Sequence, residues 1–147
     1  EERQAIGEYG EAMAIAFQIR DDLLNLLSTE EDEGKAPGVT GGAYGKERGG
    51  DIAEGKRTLI IIDLLRKCTT SEQEKVLAIL HSDRCDTSQE DIDRVIDMAQ
   101  DYGAVTYAAQ VGEQKAEESL AHLGFLPAGP ARDRLREMLA FFVQRAF

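Results

Sequence analysis

Helical periodicity runs through almost every long segment of this chain, and no stretch shows the two-residue alternation of a half-buried β-strand. The clearest case is residues 1–27, where apolar side chains recur three or four positions apart. These are Ile15, Ile19, Leu23, Leu26 and Leu27. Such spacing lines one side of a helix about 40 Å long. The pattern predicts an all-α protein with this stripe in its core.

Further helices are indicated downstream. The densely apolar segment 58–68 predicts a buried helix, because it is too long for a typical strand and ends in cations. A capping-box signature at Ser71 predicts the next helix, and Ser88 is expected to begin one that continues past Gly103 toward residue 123. The last helix is predicted over 131–146. Its expected inward residues are Leu135, Met138, Leu139, Phe142 and Val143.

Composition excludes several functional classes. With 147 residues and 16.2 kDa, the chain suits one domain with a single core. Its net charge of −11 would repel a phosphate backbone, so we expect no nucleic-acid partner. No apolar run reaches the roughly 20 residues of a membrane span. Cys68 and Cys85 are too few for a disulfide framework or a zinc site, which favours reduced thiols and a cytoplasmic location.

The segment FQIRDDLLN, residues 17–25, carries a row of polar side chains beside the apolar stripe. Gln18, Asp21, Asp22 and Asn25 lie three or four positions apart and therefore share one side of the helix. Paired carboxylates with an amide one turn later offer the hard oxygen ligands that Mg²⁺ accepts while it keeps waters and binds substrate phosphates. Taken alone, the same row also fits a solvated helix face.

A glycine-rich segment follows, and it ends in lysines. Seven of the 14 glycines lie within 34–50, which predicts a surface loop that leads into GKERGGDIAEGKRTL over 45–59. Lysine ammonium groups on such a loop can bind a diphosphate from the side opposite a metal ion. The G-x-x-x-x-G-K spacing ending at Lys56 also matches a phosphate-binding P-loop. We reject that alternative because Arg57 replaces the required Ser or Thr and no apolar strand precedes it.

Together these motifs resemble those of a known family. FQIRDDLLN followed by YGKERGGDIAEGKRTL closely resembles the second aspartate-rich motif and the lysine-bearing loop of the trans-type polyprenyl diphosphate synthases, especially geranylgeranyl- and farnesyl-forming members. The later GAVTYAAQ and LAFFVQR segments are similar to the last helices of the family. The resemblance implies an all-α isoprenoid synthase fold, a homodimer, and a Mg²⁺-assisted condensation of an allylic diphosphate with isopentenyl diphosphate.

The resemblance also implies roles for individual residues. The implied metal-binding residues are Asp21 as a direct ligand, Asp22 and Asn25 directly or through water, and Asp51 in the outer shell. The implied catalytic and substrate-binding residues are Lys46 and Lys56 on the allylic diphosphate, with Phe17 and Gln18 lining the cavity beside it. Asn25 departs from the commoner Asp of the motif but keeps a carbonyl oxygen. Lys46 is preferred over Lys35 because only its run leads directly into Gly50 and Asp51.

Nothing in the sequence matches the first aspartate-rich motif of the family or its isopentenyl-diphosphate-binding basic residues. We therefore expect residues 1–147 to be one domain, the C-terminal portion of a polyprenyl synthase, and to be inactive alone. Two alternatives stay open at this point. The chain could be a non-catalytic helical subunit related to the synthases, or a plain acidic helical module whose carboxylates never bind metal.

Overall fold

The computed structural model describes residues 1–27 and 48–143. Within those ranges it contains α-helices and one 3-10 turn, Arg84–Asp86, and no strand, which confirms the all-α prediction. The helices are α1 (Glu2–Leu27), α2 (Gly50–Ala53), α3 (Leu59–Lys67), α4 (Thr70–His81), α5 (Gln89–Asp101), α6 (Ala104–Leu123) and α7 (Pro130–Val143). In the part of the chain that the structure describes, no helix is both long enough and apolar enough to cross a membrane.

The chain divides into two compact units. Unit 1 comprises Glu1–Asp21 with Ala108–Phe147, and unit 2 comprises Asp22–Tyr107. The predicted glycine-rich loop falls almost entirely on residues 28–47, which lie outside the described residues, as does Lys46.

Helix α1 forms as the apolar spacing predicts, with one correction. Ile19, Leu23 and Leu26 are buried, because their spacing of three or four positions keeps them on one side of a helix with 3.6 residues per turn. Ile15 was expected in the same stripe but retains 37% of its surface exposed. Upstream of Ile19 the buried side of α1 runs through Ala16 and Ala12 instead, and Ile15 is exposed because it lies about 100° around the helix from Ala16.

In unit 1 the core joins α1, α6 and α7. Its buried members are Ala5, Tyr9, Leu123, Leu126 and Leu139. The Tyr9 hydroxyl donates to the Leu135 carbonyl at 2.7 Å, and the fully buried Ser119 hydroxyl donates to the Tyr9 carbonyl at 3.1 Å. Met138 was expected to point inward, but it is 45% exposed, because it lies about 100° around α7 from Leu139.

Unit 2 is built around α3, which fulfils the prediction of a buried helix over 58–68. Thr58 is its N-cap, with its side chain accepting from Ile61 N, and Cys68 is its C-cap. Ile60, Ile61 and Leu64 are almost completely buried. They form the core of this unit together with Val76, Val95, Ile96 and Ala99 from α4 and α5.

Two helix boundaries differ from those expected. The N-cap of α4 is Thr69 and not Ser71, because Thr69 exchanges side-chain and backbone hydrogen bonds with Glu72 in a complete capping box. Helix α5 ends at Asp101 and does not continue to residue 123. Gly103 adopts a left-handed φ of +68°, which breaks the helix before α6 begins at Ala104.

Candidate functional site

Asn25, near the end of α1, is bonded to the start of α2. Its side-chain oxygen accepts a hydrogen bond from the Asp51 amide at 3.0 Å, and its backbone carbonyl accepts from the Gly49 amide at 2.8 Å. Asn25 is 3% exposed and Asp51 4%. Because α2 is only four residues long and lies in a glycine-rich segment, it depends on such tertiary bonds for its position.

Asp51 in turn holds Lys56. The Lys56 ammonium donates to Asp51 Oδ1 at 2.6 Å and lies 2.9 Å from Glu54 Oε2. The Lys56 amide also donates to the Asp51 carbonyl at 2.9 Å. The two carboxylates raise the pKa of Lys56, chiefly through the hydrogen bond to Asp51, while the hydrogen bond from Lys56 lowers the pKa of Glu54. Half of the Lys56 side chain remains exposed, so a fixed cation is presented at the surface.

The turn that carries Lys56 requires glycine. Gly55 has φ +67°, and a Cβ built there would lie 2.4 Å from the carbonyl oxygen of Leu80. The close approach places the 54–56 turn directly against the end of α4.

Two arginines make side-chain bonds in the same unit, and one of them, Arg84, extends this cluster outward. Arg84 Nη1 donates to Glu54 Oε1 at 2.7 Å. Arg48 Nη1 donates to Asp93 Oδ1 at 2.9 Å, and Arg48 Nε donates to the carbonyl of Leu26 at 3.3 Å. The sequence alone indicates no role for Glu54, Arg84 or Arg48. The spacing Glu54–Gly55–Lys56 was visible, but the pairing with Arg84, 30 positions away, has no local signal.

The remaining predicted residues divide between the two units. Asp22 is 8% exposed and belongs to unit 2, whereas Phe17, Gln18 and Asp21 belong to unit 1. Asp21 is half-buried, Gln18 is exposed, and Phe17 packs edge-on against Phe142 with ring centroids 5.3 Å apart. Of the predicted set, the structure brings Asn25, Asp51 and Lys56 into one bonded cluster.

The carboxylates of the aspartate-rich segment are the type of donor that a magnesium ion accepts. Among residues 1–27 and 48–143, no three His, Cys, Asp or Glu side chains converge closely enough to hold a metal ion. Asp21 and Asp22 nevertheless supply carboxylates at consecutive positions of α1. Mg²⁺ is commonly held by one or two carboxylates, with waters and substrate phosphates in its other positions, so these residues match that mode of binding.

Comparison with known proteins identifies the family. The family model described as polyprenyl synthetase matches residues 1–99, about two thirds of the chain. This chain belongs to the polyprenyl synthetase family. The short chain isoprenyl diphosphate synthase of Methanothermobacter thermautotrophicus is 30% identical over 145 residues, which span 99% of this chain and 40% of that protein.

Solved structures of family members resemble it as well. The geranylgeranyl pyrophosphate synthetase of Pyrococcus horikoshii matches with a TM-score of 0.78 at 29% identity, over 97% of this chain and 39% of that one. The geranylgeranyl pyrophosphate synthase of Corynebacterium glutamicum, solved with isoprenyl diphosphate and magnesium, matches with a TM-score of 0.74 at 32% identity, over 97% and 37%. The chain thus spans about two fifths of the length of the relatives it matches.

Proposed function

We propose that this chain is the C-terminal portion of a prenyltransferase that condenses an allylic diphosphate with isopentenyl diphosphate to give a longer polyprenyl diphosphate. Family membership and the polyprenyl diphosphate synthases among its relatives support this function. The resemblance to the synthases is also the basis for the finer proposal that the whole protein is a homodimer, and the two isolated cysteines are the basis for the proposal that it is cytoplasmic. We further expect turnover to require the remainder of the synthase fold.

The observation that carries the proposal is the bonded series Asn25, Asp51 and Lys56. It joins the aspartate-rich segment of α1 to the lysine after the glycine-rich segment, two motifs that are about 30 positions apart in sequence. A carboxylate-rich segment and an exposed ammonium group are the complementary charges that a metal-bound diphosphate needs.

Each group has a distinct task in the proposed reaction. Asp21 and Asp22 would hold Mg²⁺, with Asp51 in the outer shell, and the ion when bound neutralises charge on the diphosphate leaving group. Lys56 and Lys46 would bind the non-bridging oxygens of the diphosphate and stabilise it as it departs with the electron pair of the broken carbon–oxygen bond. The allylic cation then alkylates isopentenyl diphosphate, and loss of a proton restores a double bond. Phe17 and Gln18 would line the cavity beside the allylic group.

The C. glutamicum relative supports the choice of ligands. That protein was solved with isoprenyl diphosphate and magnesium, the two ligands that the charges of this site suit. Magnesium and a prenyl diphosphate are therefore the ligands proposed for this chain.

Calorimetric titration of the chain with pyrophosphate in the presence of Mg²⁺ tests the proposal. We expect metal-dependent binding by the wild type, and a loss of about tenfold in affinity in Lys56→Ala, because a charge-assisted hydrogen bond is lost. Asp21→Ala should instead raise the Mg²⁺ concentration that is needed. Lys75→Ala, which removes an exposed lysine on α4, is the matched control and should bind as the wild type does.

Absence of metal-dependent binding in the wild type would overturn the proposal. Equal losses in Lys56→Ala and Lys75→Ala would also overturn it, because the effect would then come from net charge alone. In the assembled synthase, Lys35→Ala should preserve turnover where Lys46→Ala reduces it, and equal effects would overturn the choice of Lys46.

A further inference from the structure

Asn25 stands where the family resemblance places a metal ligand, yet its contacts in unit 2 are with the protein itself. Its side-chain oxygen accepts from the Asp51 amide at 3.0 Å, and only 3% of the residue is exposed. The Asp51 carboxylate then holds the Lys56 ammonium at 2.6 Å. The Asn25 side chain therefore bonds the backbone of Asp51, the residue whose carboxylate fixes the Lys56 ammonium.

We propose that Asn25 is a positioning residue that sets the place of Lys56 through Asp51, in place of the metal-ligand role that the resemblance implies. The inference rests on the proposed function, since it assigns a task within the same diphosphate site. It separates the site into two parts. Asp21 and Asp22 meet the metal ion, and Asn25 acts on the ammonium side.

The chemistry of an amide suits this position. Two buried carboxylates belong to the neighbours of Asn25. Asp22 precedes it by three positions on α1, and Asp51 donates its backbone amide to it. A third buried carboxylate would add a desolvation cost and repulsion from these neighbours, whereas an amide oxygen accepts the same hydrogen bond without a charge. The neutral side chain thereby satisfies the buried Asp51 amide, which would otherwise lack that acceptor.

The side-chain bond can be removed without removing the backbone bond beside it. The Gly49 amide donates to the backbone carbonyl of Asn25, which Asn25→Ala retains. The substitution leaves the Asp51 amide without the Asn25 acceptor and releases that end of α2. A change in ligand binding would then report on the position of Asp51 and Lys56.

The test is a series of pyrophosphate titrations of the full chain at increasing Mg²⁺ concentration. For Asn25→Ala we expect affinity at saturating Mg²⁺ to fall about tenfold, as for loss of a buried hydrogen bond, with no change in the Mg²⁺ concentration at half-saturation. The double variant Asn25→Ala/Lys56→Ala should lose little more than Lys56→Ala alone, because both substitutions disable the same contact. A shift in the Mg²⁺ requirement matching that of Asp21→Ala, or fully additive losses, would overturn the inference.

Gln73→Ala is the matched control. It removes another side-chain amide bonded to the backbone of unit 2, Nε2 to the Leu65 carbonyl at 2.8 Å, outside the cluster. Its pyrophosphate affinity should equal that of the wild type, and a loss equal to that of Asn25→Ala would overturn the inference, because general loosening of unit 2 would explain both.

A second variant covers the case in which Asn25→Ala does not fold. Asn25→Asp keeps an acceptor for the Asp51 amide, so a positioning role predicts an unchanged Mg²⁺ midpoint within about threefold, whereas a direct ligand gaining a charge predicts a decrease of about tenfold or more. Wild-type chain that shows no Mg²⁺-dependent pyrophosphate binding would overturn the proposed function itself. Wild-type binding with a shifted midpoint in either Asn25 variant overturns only the role of Asn25.

Discussion

Lys56 is held by two carboxylates of unequal burial, and this arrangement makes the cluster pH-dependent at both extremes. The Asp51 side chain is 6% exposed and that of Glu54 is 42% exposed. Asp51 therefore acts in a drier environment, where a hydrogen-bonded ion pair is stronger, and Glu54 adds a screened interaction at the rim.

The pH dependence of this cluster is a testable prediction. The lowered pKa of Glu54 means that its stabilising contribution is present above the ordinary carboxyl value of 4.5 and is lost as the pH falls through the lowered value. The raised pKa of Lys56 means that its contribution is present below the ordinary value of 10.5 and is lost as the pH rises through the raised value. The difference in free energy of unfolding between wild type and Glu54→Gln should be constant between these two pH values and shrink in acid.

Urea denaturation followed by circular dichroism at a series of pH values measures that difference. Glu74→Gln, at an exposed position of α4, is the matched control, and its difference from the wild type should be small throughout. A difference for Glu54→Gln that persists unchanged into strong acid would contradict the ion pair.

At the scale of elements, short connections between helices place the candidate site, and glycine sets two of them. Gly55 and Gly103 have nearly the same positive φ, +67° and +68°. They differ in surroundings, because a Cβ at Gly55 would collide with the Leu80 carbonyl, whereas nothing lies within 4 Å of a Cβ at Gly103. A residue with a Cβ would therefore be strained by the positive φ in both turns, but it would clash with neighbouring backbone only in the Gly55 turn.

Alanine substitutions at these glycines should therefore separate strain from collision. Gly103→Ala should cost about 1–2 kcal/mol, the cost of a left-handed conformation for a residue with a Cβ. Gly55→Ala should cost clearly more, because the main chain of α4 must shift, and it should also weaken pyrophosphate binding by displacing Lys56. Thermal unfolding of both variants measures the stabilities, and equal losses would show that the Leu80 carbonyl does not restrict the Gly55 turn.

At the scale of the whole molecule, excess negative charge is the dominant electrostatic feature. The net charge is −11, and many ion pairs in the described residues are on the surface, such as Arg94 with Glu90 and Arg134 with Glu137. Exposed pairs contribute little each, typically about 0–1 kcal/mol. Repulsion among unpaired acidic groups should therefore outweigh them.

Salt should consequently stabilise this protein. Added sodium chloride shortens the screening length to about 8 Å near 0.15 M, which reduces repulsion among the acidic groups. We expect the unfolding temperature to rise between low salt and that concentration in the wild type, and to rise at least as much in Lys75→Ala, whose net charge is one unit more negative. A decrease on addition of salt would show that attractive pairs dominate.

Much of the helical framework could be predicted from local sequence. Segment 58–68 is predicted as a helix because its apolar density, its length and its terminal cations agree, and α3 occupies 59–67. The N-cap of α4 could not be decided from sequence, since Thr69 and Ser71 are each followed three positions later by a glutamate and both fit a capping box. The prediction for Met138 was wrong for a related reason: periodicity marks a broad apolar arc on α7, and only packing decides which part of that arc is covered.

By itself, the sequence determined the helical class, the positions of most helices and the two motifs whose charges suit a metal-bound diphosphate. These properties follow from periodicity and residue chemistry, which act over one or two helical turns. Only the tertiary structure decided that α2 forms at Gly50–Ala53, that Asn25 bonds the Asp51 amide, and that Glu54 joins Lys56 to Arg84. Those contacts bring together groups up to 30 positions apart, and their free energy depends on burial and distance that no local pattern encodes.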